Sequence, residues 1–319
     1  MEVPLEIIDI TEWPADEEFL EAYPEGARPK RTAFSTSSPE QSYIRPDWRH
    51  MFKRSSGRYP EQFWAEIIAH KIAMMLGINA PPCYPAYDGG IEKYGALSPW
   101  FYEDGVEDFF SAGNFFTRFI ENFDRDKGTQ HNLITAMNFN STVLGGSSSH
   151  EFWLMMMYDS IIGNTDRHQD NWGHIVQAKR LSRSVAQRQR RTHNYKWRFC
   201  PWFDNGTSLG HEMQPTRFTK WSVKDLDLYI RRGQHHIRHS LEDLSRVKHI
   251  ESIEIIRTLP TRKDAFTRLA RFRDSELGDF LQEIVDLKVS AGGNLTQARA
   301  DFMLKLTARR VQLSMDILK

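Results

Sequence analysis

Chemistry on a nucleoside triphosphate asks few things of a protein. It needs a cation on the phosphates, oxygen ligands for magnesium and a carboxylate to orient the accepting hydroxyl. Magnesium takes one or two protein oxygens beside phosphate oxygens and water, rather than an all-protein cage. The stretch "GNTDRHQDNWGHI", from Gly163 to Ile175, offers Asp166 and then Asn171, a D-x4-N spacing. Asp204 follows in "WFDNGTSLG". Upstream, Lys53 ends "RHMFK" and Glu66 lies in "WAEIIAHK". A strand lysine and a helix glutamate are the ion pair that holds a phosphate-binding lysine in place. Each piece alone has a plainer reading. Asp166 and Asn171 fit a polar turn after a helix, and D-N-G is a turn signal by itself. Arg49 and Arg54 flank Lys53, and Glu61 shares the helix of Glu66. The succession Lys, Glu, Asp, Asn, Asp favours the catalytic reading over the separate plain ones.

These groups must be carried by elements. "PLEIIDI" and "RHMFKR" are predicted strands, and "EGARPKRTAFSTSSPEQSYIRPDW" holds turn residues between short apolar pieces. "PEQFWAEIIAHKIAMMLG" is predicted as a helix, with Pro60 in its first turn, Glu61 complementing the dipole and Gly77 just past its end. Phe63, Ile67, Ala73 and Leu76 form its apolar stripe. "APPCYPAYD" and "YGALSPWF" read as strands or an extended connector. From about Ser111 the pattern turns helical, in "GNFFTRFIENF", "HEFWLMMMYDSII", "SVKDLDLYIRRG", "SELGDFLQEIVDL" and "ARADFMLKLTARRVQLSMDIL". "NWGHIVQ" and "WRFCPWFDNG" are predicted as a strand pair, and "STVLGGSSS" as a flexible linker. The outline is α+β: a small mixed part over residues 1–100, then a larger, mainly helical part over 101–319.

"GNTDRHQDNWGHI" resembles the catalytic loop of the HipA-like kinases, and its "DRHQDN" also resembles that of phosphatidylinositol kinases. "EGARPK", the strand ending in Lys53, "WAEIIAHKIAMMLGI" and "FDNGTSLG" occur in the order of the compact HipA-like kinases. The resemblance spans roughly Gly26 to Gly210 and looks like the short form of that family. It implies a bilobal, protein-kinase-like fold and an ATP- and Mg2+-dependent serine/threonine protein kinase. By motif, Asp166 would orient the acceptor hydroxyl and take its proton, and Asn171 and Asp204 would hold magnesium. Lys53 would contact the ATP phosphates with Glu66 as its partner, and Arg167 and His168 would brace the loop. Adenine would lie near "LSPWF". One departure is the missing G-x-G-x-x-G loop, replaced by "GARPKRTAFSTSSPE", whose backbone N–H groups can still face phosphate. Serines of this loop can be autophosphorylated in the family, which inactivates the kinase and makes Ser35 and Ser37 the candidates here. A phosphate there adds about −1.5 to −2 charge and would repel ATP. The resemblance also implies a toxin–antitoxin setting with an antitoxin protein as partner. The same loop leaves open a lipid or small-molecule kinase, and the missing glycine-rich loop an inactive kinase-fold binding module.

Composition bounds the rest. The 319 residues carry 42 basic and 42 acidic side chains, so no net charge steers the whole molecule toward nucleic acid or membrane. Cys83 and Cys200 stand far apart with no CxxC spacing, which excludes a disulfide framework and a four-cysteine zinc site. The N-terminus lacks the features of a signal peptide and no run of about 18 apolar residues occurs. The expectation is a soluble, cytoplasmic protein with no membrane partner. The acid-free segment Lys179 to Arg198 reads as an exposed insertion, with direct nucleic-acid binding the less favoured role. His235 and His239 have zinc-like i, i+4 spacing without a third ligand, and read as a solvated helix face.

Overall fold

The structure is a computed structural model that describes residues 3–17, 29–143, 146–180, 193–287, 289 and 293–319. Five strands build the first sheet: β1 (Ile8–Asp9), β2 (Lys30–Phe34), β3 (Arg49–Arg54), β4 (Tyr84–Asp88) and β5 (Lys93–Pro99). Their order is β1-β4-β5-β3-β2, antiparallel except for the β1–β4 pair. Only Ile8 and Asp9 of "PLEIIDI" pair as a strand. In β3, Lys53 faces Lys30 of β2 on one side and Ala96 of β5 on the other.

Between β3 and β4 runs α1 (Gln62–Leu76). Gly77 ends it at φ 65°, where its N–H and that of Ile78 close on Met74 and Ala73 carbonyls. A left-handed residue at this place is glycine's usual role. Thirteen of the fifteen helix residues are buried, so α1 is apolar all round rather than striped. The cause is its position, with the sheet on one side and C-terminal helices on the other. Trp64 donates its indole N–H to the Gly293 carbonyl at 2.7 Å, and Tyr158 its hydroxyl to Ala69 at 2.7 Å. Glu61 does not serve the helix dipole as expected. Its carboxylate accepts from Thr296 N–H and Oγ1, both at 2.8 Å, and from Arg299 at 3.2 Å, and so ties this helix start to the last helix.

The remainder adds β6 (Glu107–Ser111), α2 (Ala112–Phe119), α3 (Leu133–Asn138), α4 (Gly146–Ile162), β7 (Gly173–Arg180) and β8 (His193–Phe199). The strands form a sheet ordered β6-β7-β8. A short α5 (Pro215–Phe218) and α6 (Val223–Arg232) lead to the β9 (Gln234–Arg238) and β10 (Arg246–Lys248) pair. Then come α7 (His249–Arg257), α8 (Arg262–Leu269), α9 (Asp274–Asp286) and α10 (Gln297–Leu318). One hydrophobic cluster joins α1 to α4, α7, α9 and α10, and a smaller one lies under the first sheet.

Two expectations fail here for physical reasons. The "STVLGGSSS" linker is largely helical: a π-helical turn spans Phe139–Val143 and α4 begins at Gly146. Ser148 within it is buried, donating to Asn140 Oδ1 at 2.6 Å and lying 2.8 Å from His174 Nε2. Short polar residues of this kind lower helix propensity, but tertiary partners override it. His235 and His239 are not on a helix. His235 sits buried in β9 against His249, with ring centroids 4.5 Å apart, and His239 contacts Glu251 at 2.7 Å. The middle of the basic insertion, residues 181–192, lies outside the described residues, as do Gly26 to Arg28 of the "EGARPK" turn. Among the described residues no helix is long and apolar enough to cross a membrane.

The buried histidines give the fold an acid-sensitive signature. Burial pushes His50 down to about 4 and His174 down to about 3; His249 falls to about 3 by burial and then the nearby Arg310. Their folded-state values lie below the ordinary 6.5, so the unfolded chain takes protons that the folded chain refuses. Stability is therefore complete above pH 6.5 and falls as pH drops toward these values. Each such group contributes a slope of up to about 1.4 kcal/mol per pH unit. Urea unfolding at pH 7.5, 6 and 5 is expected to show a monotonic loss; equal midpoints would contradict the buried, neutral state of these rings.

Candidate active site

Lys53 reaches from β3 toward α1. Its Nζ lies 3.3 Å from Glu66 Oε1 and 2.8 Å from Asp204 Oδ1. The other Glu66 oxygen accepts the Asn205 backbone N–H at 2.8 Å. One buried glutamate thus fixes both the lysine and the turn that carries Asp204. The competing cation Arg49 is held elsewhere, by Asp16 at 2.5 Å and by Asp104. The competing acid Glu61 faces α10, so the register with Lys53 and Glu66 is the one realised. Asp204 itself has φ 57°, a left-handed conformation that Asp and Asn tolerate best after Gly.

The loop "GNTDRHQDN" leaves α4 through Gly163, at φ 70°. A Cβ on Gly163 would run into the buried Arg310 guanidinium. Asn164 Oδ1 accepts the Asp166 N–H at 2.9 Å, and Thr165 N–H bonds the Thr207 carbonyl at 3.3 Å. Asn171 donates its side-chain amide to the Asp166 carbonyl at 3.0 Å. Asp166 and Asn171 are therefore held by each other's segment, with Asp166 exposed and Asn171 buried.

Beneath them lies Arg167, only 2 % exposed. It makes a two-point ion pair with Asp159 of α4, Nε–Oδ2 3.0 Å and NH2–Oδ1 2.8 Å. It also donates to Asn205 Oδ1 at 2.7 Å and to the carbonyls of Asn171 and Phe203. Burial disfavours its charge, and the Asp159 carboxylate more than offsets this, holding Arg167 above its usual range. The expected bracing by Arg167 is what the geometry displays. His168 lies nearer the surface, its Nδ1 accepting the Asp170 N–H at 3.2 Å. Asp170 is bound by Arg125 and by Ser111 Oγ at 2.8 Å.

Lys53, Glu66, Asn171 and Asp204 line one cavity of about 450 Å3. Its lining also includes the apolar Met51, Pro99, Trp100, Phe101 and Phe203, the last two stacked at 4.8 Å. Aromatic and charged side chains lining one cleft suit a nucleotide's base and phosphates. The oxygens of Asn171 and Asp204 are the hard donors magnesium takes. Among the described residues no group of three or more His, Cys, Asp or Glu could hold a metal. Asn171 and Asp204 supply the one or two protein oxygens that suit an ion completed by phosphate oxygens and water. Asp166 faces a second cavity of about 500 Å3, which shares Lys30, Lys53, His168 and Asp204 with the first.

Ser35 and Ser37 are not brought to this site. Lys30 pairs with Lys53, but Phe34 pairs with Arg49 at the other end of the strands. Five residues of strand carry Ser35 roughly 17 Å from the Lys30 end. Ser35 is buried and its hydroxyl donates to the Arg45 carbonyl at 2.6 Å while accepting from Trp48 N–H at 3.0 Å; Ser37 is exposed.

Asp159, Asn164, Asn205 and Lys30 were not singled out from sequence. Asp159 had a signal: one carboxylate inside the apolar run "WLMMMYDSII" must find a partner when buried. Asn164 acts through the Asp166 backbone, and Asn205 through the Glu66 and Arg167 side chains, contacts that spacing does not reveal.

No protein-family model and no curated protein sequence matches the chain. Among solved structures it is similar to the Helicobacter pylori proinflammatory kinase CtkA. The TM-score is 0.67 at 15 % identity, over 98 % of this chain and 96 % of that one. The chain has the kinase-like fold of CtkA. It also aligns with HipA of Shewanella oneidensis MR-1, solved with HipB and its operator DNA. There the TM-score is 0.45 at 13 % identity, over 97 % of this chain and 71 % of HipA. The expected kinase-like α+β architecture is thus met in fold.

Proposed function

We propose that the chain is an ATP- and Mg2+-dependent serine/threonine protein kinase of the HipA-like type. The reading is carried by Lys53 Nζ, held between Glu66 and Asp204 in the wall of a cleft that Asn171 also lines. Residues 1–100 form its smaller lobe and 101–319 its larger one, although α1 shares the larger part's core. Asn171 and Asp204 would hold magnesium, which when bound neutralises phosphate charge. Lys53 positions the phosphates. Asp166 accepts the proton of the acceptor hydroxyl as its oxygen bonds to the γ-phosphorus and the bond to ADP breaks. The toxin–antitoxin setting and an antitoxin partner rest on motif resemblance alone.

Self-modification, if it follows, falls on Ser37 rather than Ser35, because only Ser37 offers its hydroxyl to solvent. Its distance from Lys53 makes the reaction one between two molecules. Mass spectrometry of the chain incubated with Mg-ATP is expected to show phosphate on Ser37, increasing with protein concentration, none on Ser35, and none anywhere in Asp166→Asn. Phosphate incorporation by Asp166→Asn at the wild-type rate would sink the kinase mechanism. Labelling of phospholipid instead of protein would select the lipid-kinase reading that "DRHQDN" also permits.

A further inference from the structure

The second cavity is where an acceptor has to come, because Asp166 lines it and does not line the nucleotide cavity. Its outer wall is formed by Arg58 and Tyr59, between β3 and α1, and by His211, beyond Asp204. Tyr59 and His211 meet edge to face with ring centroids 5.3 Å apart. The Arg58 guanidinium lies 5.2 Å from the Tyr59 ring centroid, and Arg58 is exposed.

Three cations and two carboxylates line this cavity. Its carboxylates are Asp166 and Asp204, both used in the reaction proposed above. Its cations are Lys30, Lys53 and Arg58, and of these Lys30 and Lys53 both have partners, Lys53 in Glu66 and Asp204. Among the described residues no carboxylate pairs with Arg58. The acid nearest in sequence, Glu61, is turned elsewhere and binds Thr296 and Arg299, while Glu212 lies 3.6 Å from His211 of the same wall and accepts from the Tyr229 hydroxyl at 2.6 Å, making no pair with Arg58. A guanidinium seated by an aromatic ring, with no acid of its own, presents a fork of donors suited to a carboxylate.

We infer that the acceptor is an acidic protein segment, with an Asp or Glu beside the serine or threonine that Asp166 addresses. Arg58 receives that carboxylate while the hydroxyl lies at Asp166. The inference rests on the kinase reading and narrows its substrate class.

The test uses the full chain with γ-labelled ATP and two generic acceptors, dephosphorylated casein, whose serines have acidic flanks, and histone H1, whose flanks are basic. Casein is expected to be labelled about tenfold faster or more, with the preference narrowing as salt rises. Arg58→Glu is expected to lower kcat/KM for casein by about tenfold or more with KM for ATP unchanged. Arg58 lies on an exposed turn, so a wild-type Tm for this variant confirms that it folds. Equal or faster labelling of histone overturns the inference. So does self-phosphorylation with neither acceptor labelled, and so does a rise in KM for ATP that matches the loss with casein, which would assign Arg58 to the nucleotide. Absence of ATP turnover in every arm overturns the kinase reading itself.

Discussion

Asp204→Asn is expected to cut ATP-dependent phosphoryl transfer by roughly 10³-fold or more, an effect of several kcal/mol on the transition state. The substitution keeps shape and removes charge. Asn tolerates the left-handed φ of 57° that Asp204 adopts, so the turn and its Asn205–Glu66 bond survive. What is lost is the proposed anionic metal ligand and one of the two carboxylates that hold Lys53. The decisive comparison is with Asp166→Asn. Asp166 is exposed on the acceptor side, and its removal should lower turnover by about 10²–10⁴ without weakening the nucleotide site. Thermal shift with Mg-ATP is therefore expected to vanish in Asp204→Asn and persist in Asp166→Asn. A persistent shift and undiminished turnover in Asp204→Asn would remove Asp204 from the mechanism.

The residues of the candidate site were legible in sequence because phosphoryl transfer, the proposed chemistry, fixes residue types and chain order. Lys53 sits on a strand, Glu66 on a helix, and Asp166 with Asn171 in one loop, each position constrained by hydrophobic period or turn chemistry on either side. Five helices after Ser111, α2, α4, α6, α9 and α10, were legible from their hydrophobic period, whereas α3, α5, α7 and α8 were not. Elements decided by tertiary contacts were not. "STVLGGSSS" looks like a linker until Ser148 finds Asn140 and His174. His235 has helical spacing to His239, yet β10 pairs with its segment as a strand. Ser35 and Ser37 look alike as letters, and only the strand register separates a buried hydroxyl from an exposed one. The support of the loop was legible in part. Arg167 belongs to the motif, but its counterion Asp159, eight residues earlier and on another element, follows only from the rule that a buried cation needs an anion.

That rule gives Arg167→Met an expected cost of about 3–5 kcal/mol in stability, read from denaturant unfolding. The variant leaves the Asp159 carboxylate fully buried without a partner. Burial already pushes that carboxyl upward, and loss of the guanidinium pushes it further. A carboxyl whose folded-state value is raised above its unfolded one costs stability as pH rises through the unfolded value. The gap between variant and wild type is therefore expected to narrow as pH falls toward 4, opposite in trend to the histidines. Adding Asp159→Leu removes the stranded charge and should recover much of the stability, since a buried ion pair exchanged for apolar groups is often close to neutral. Activity should not return with it. Arg167 also holds Asn205 Oδ1 and the Asn171 and Phe203 carbonyls, so it sets where Asn171 and Asp204, the proposed metal ligands, stand relative to each other. Arg167→Lys, which keeps charge but loses the fork of donors, should fall between the two. A double variant that regains both stability and turnover would show that Arg167 serves the fold alone.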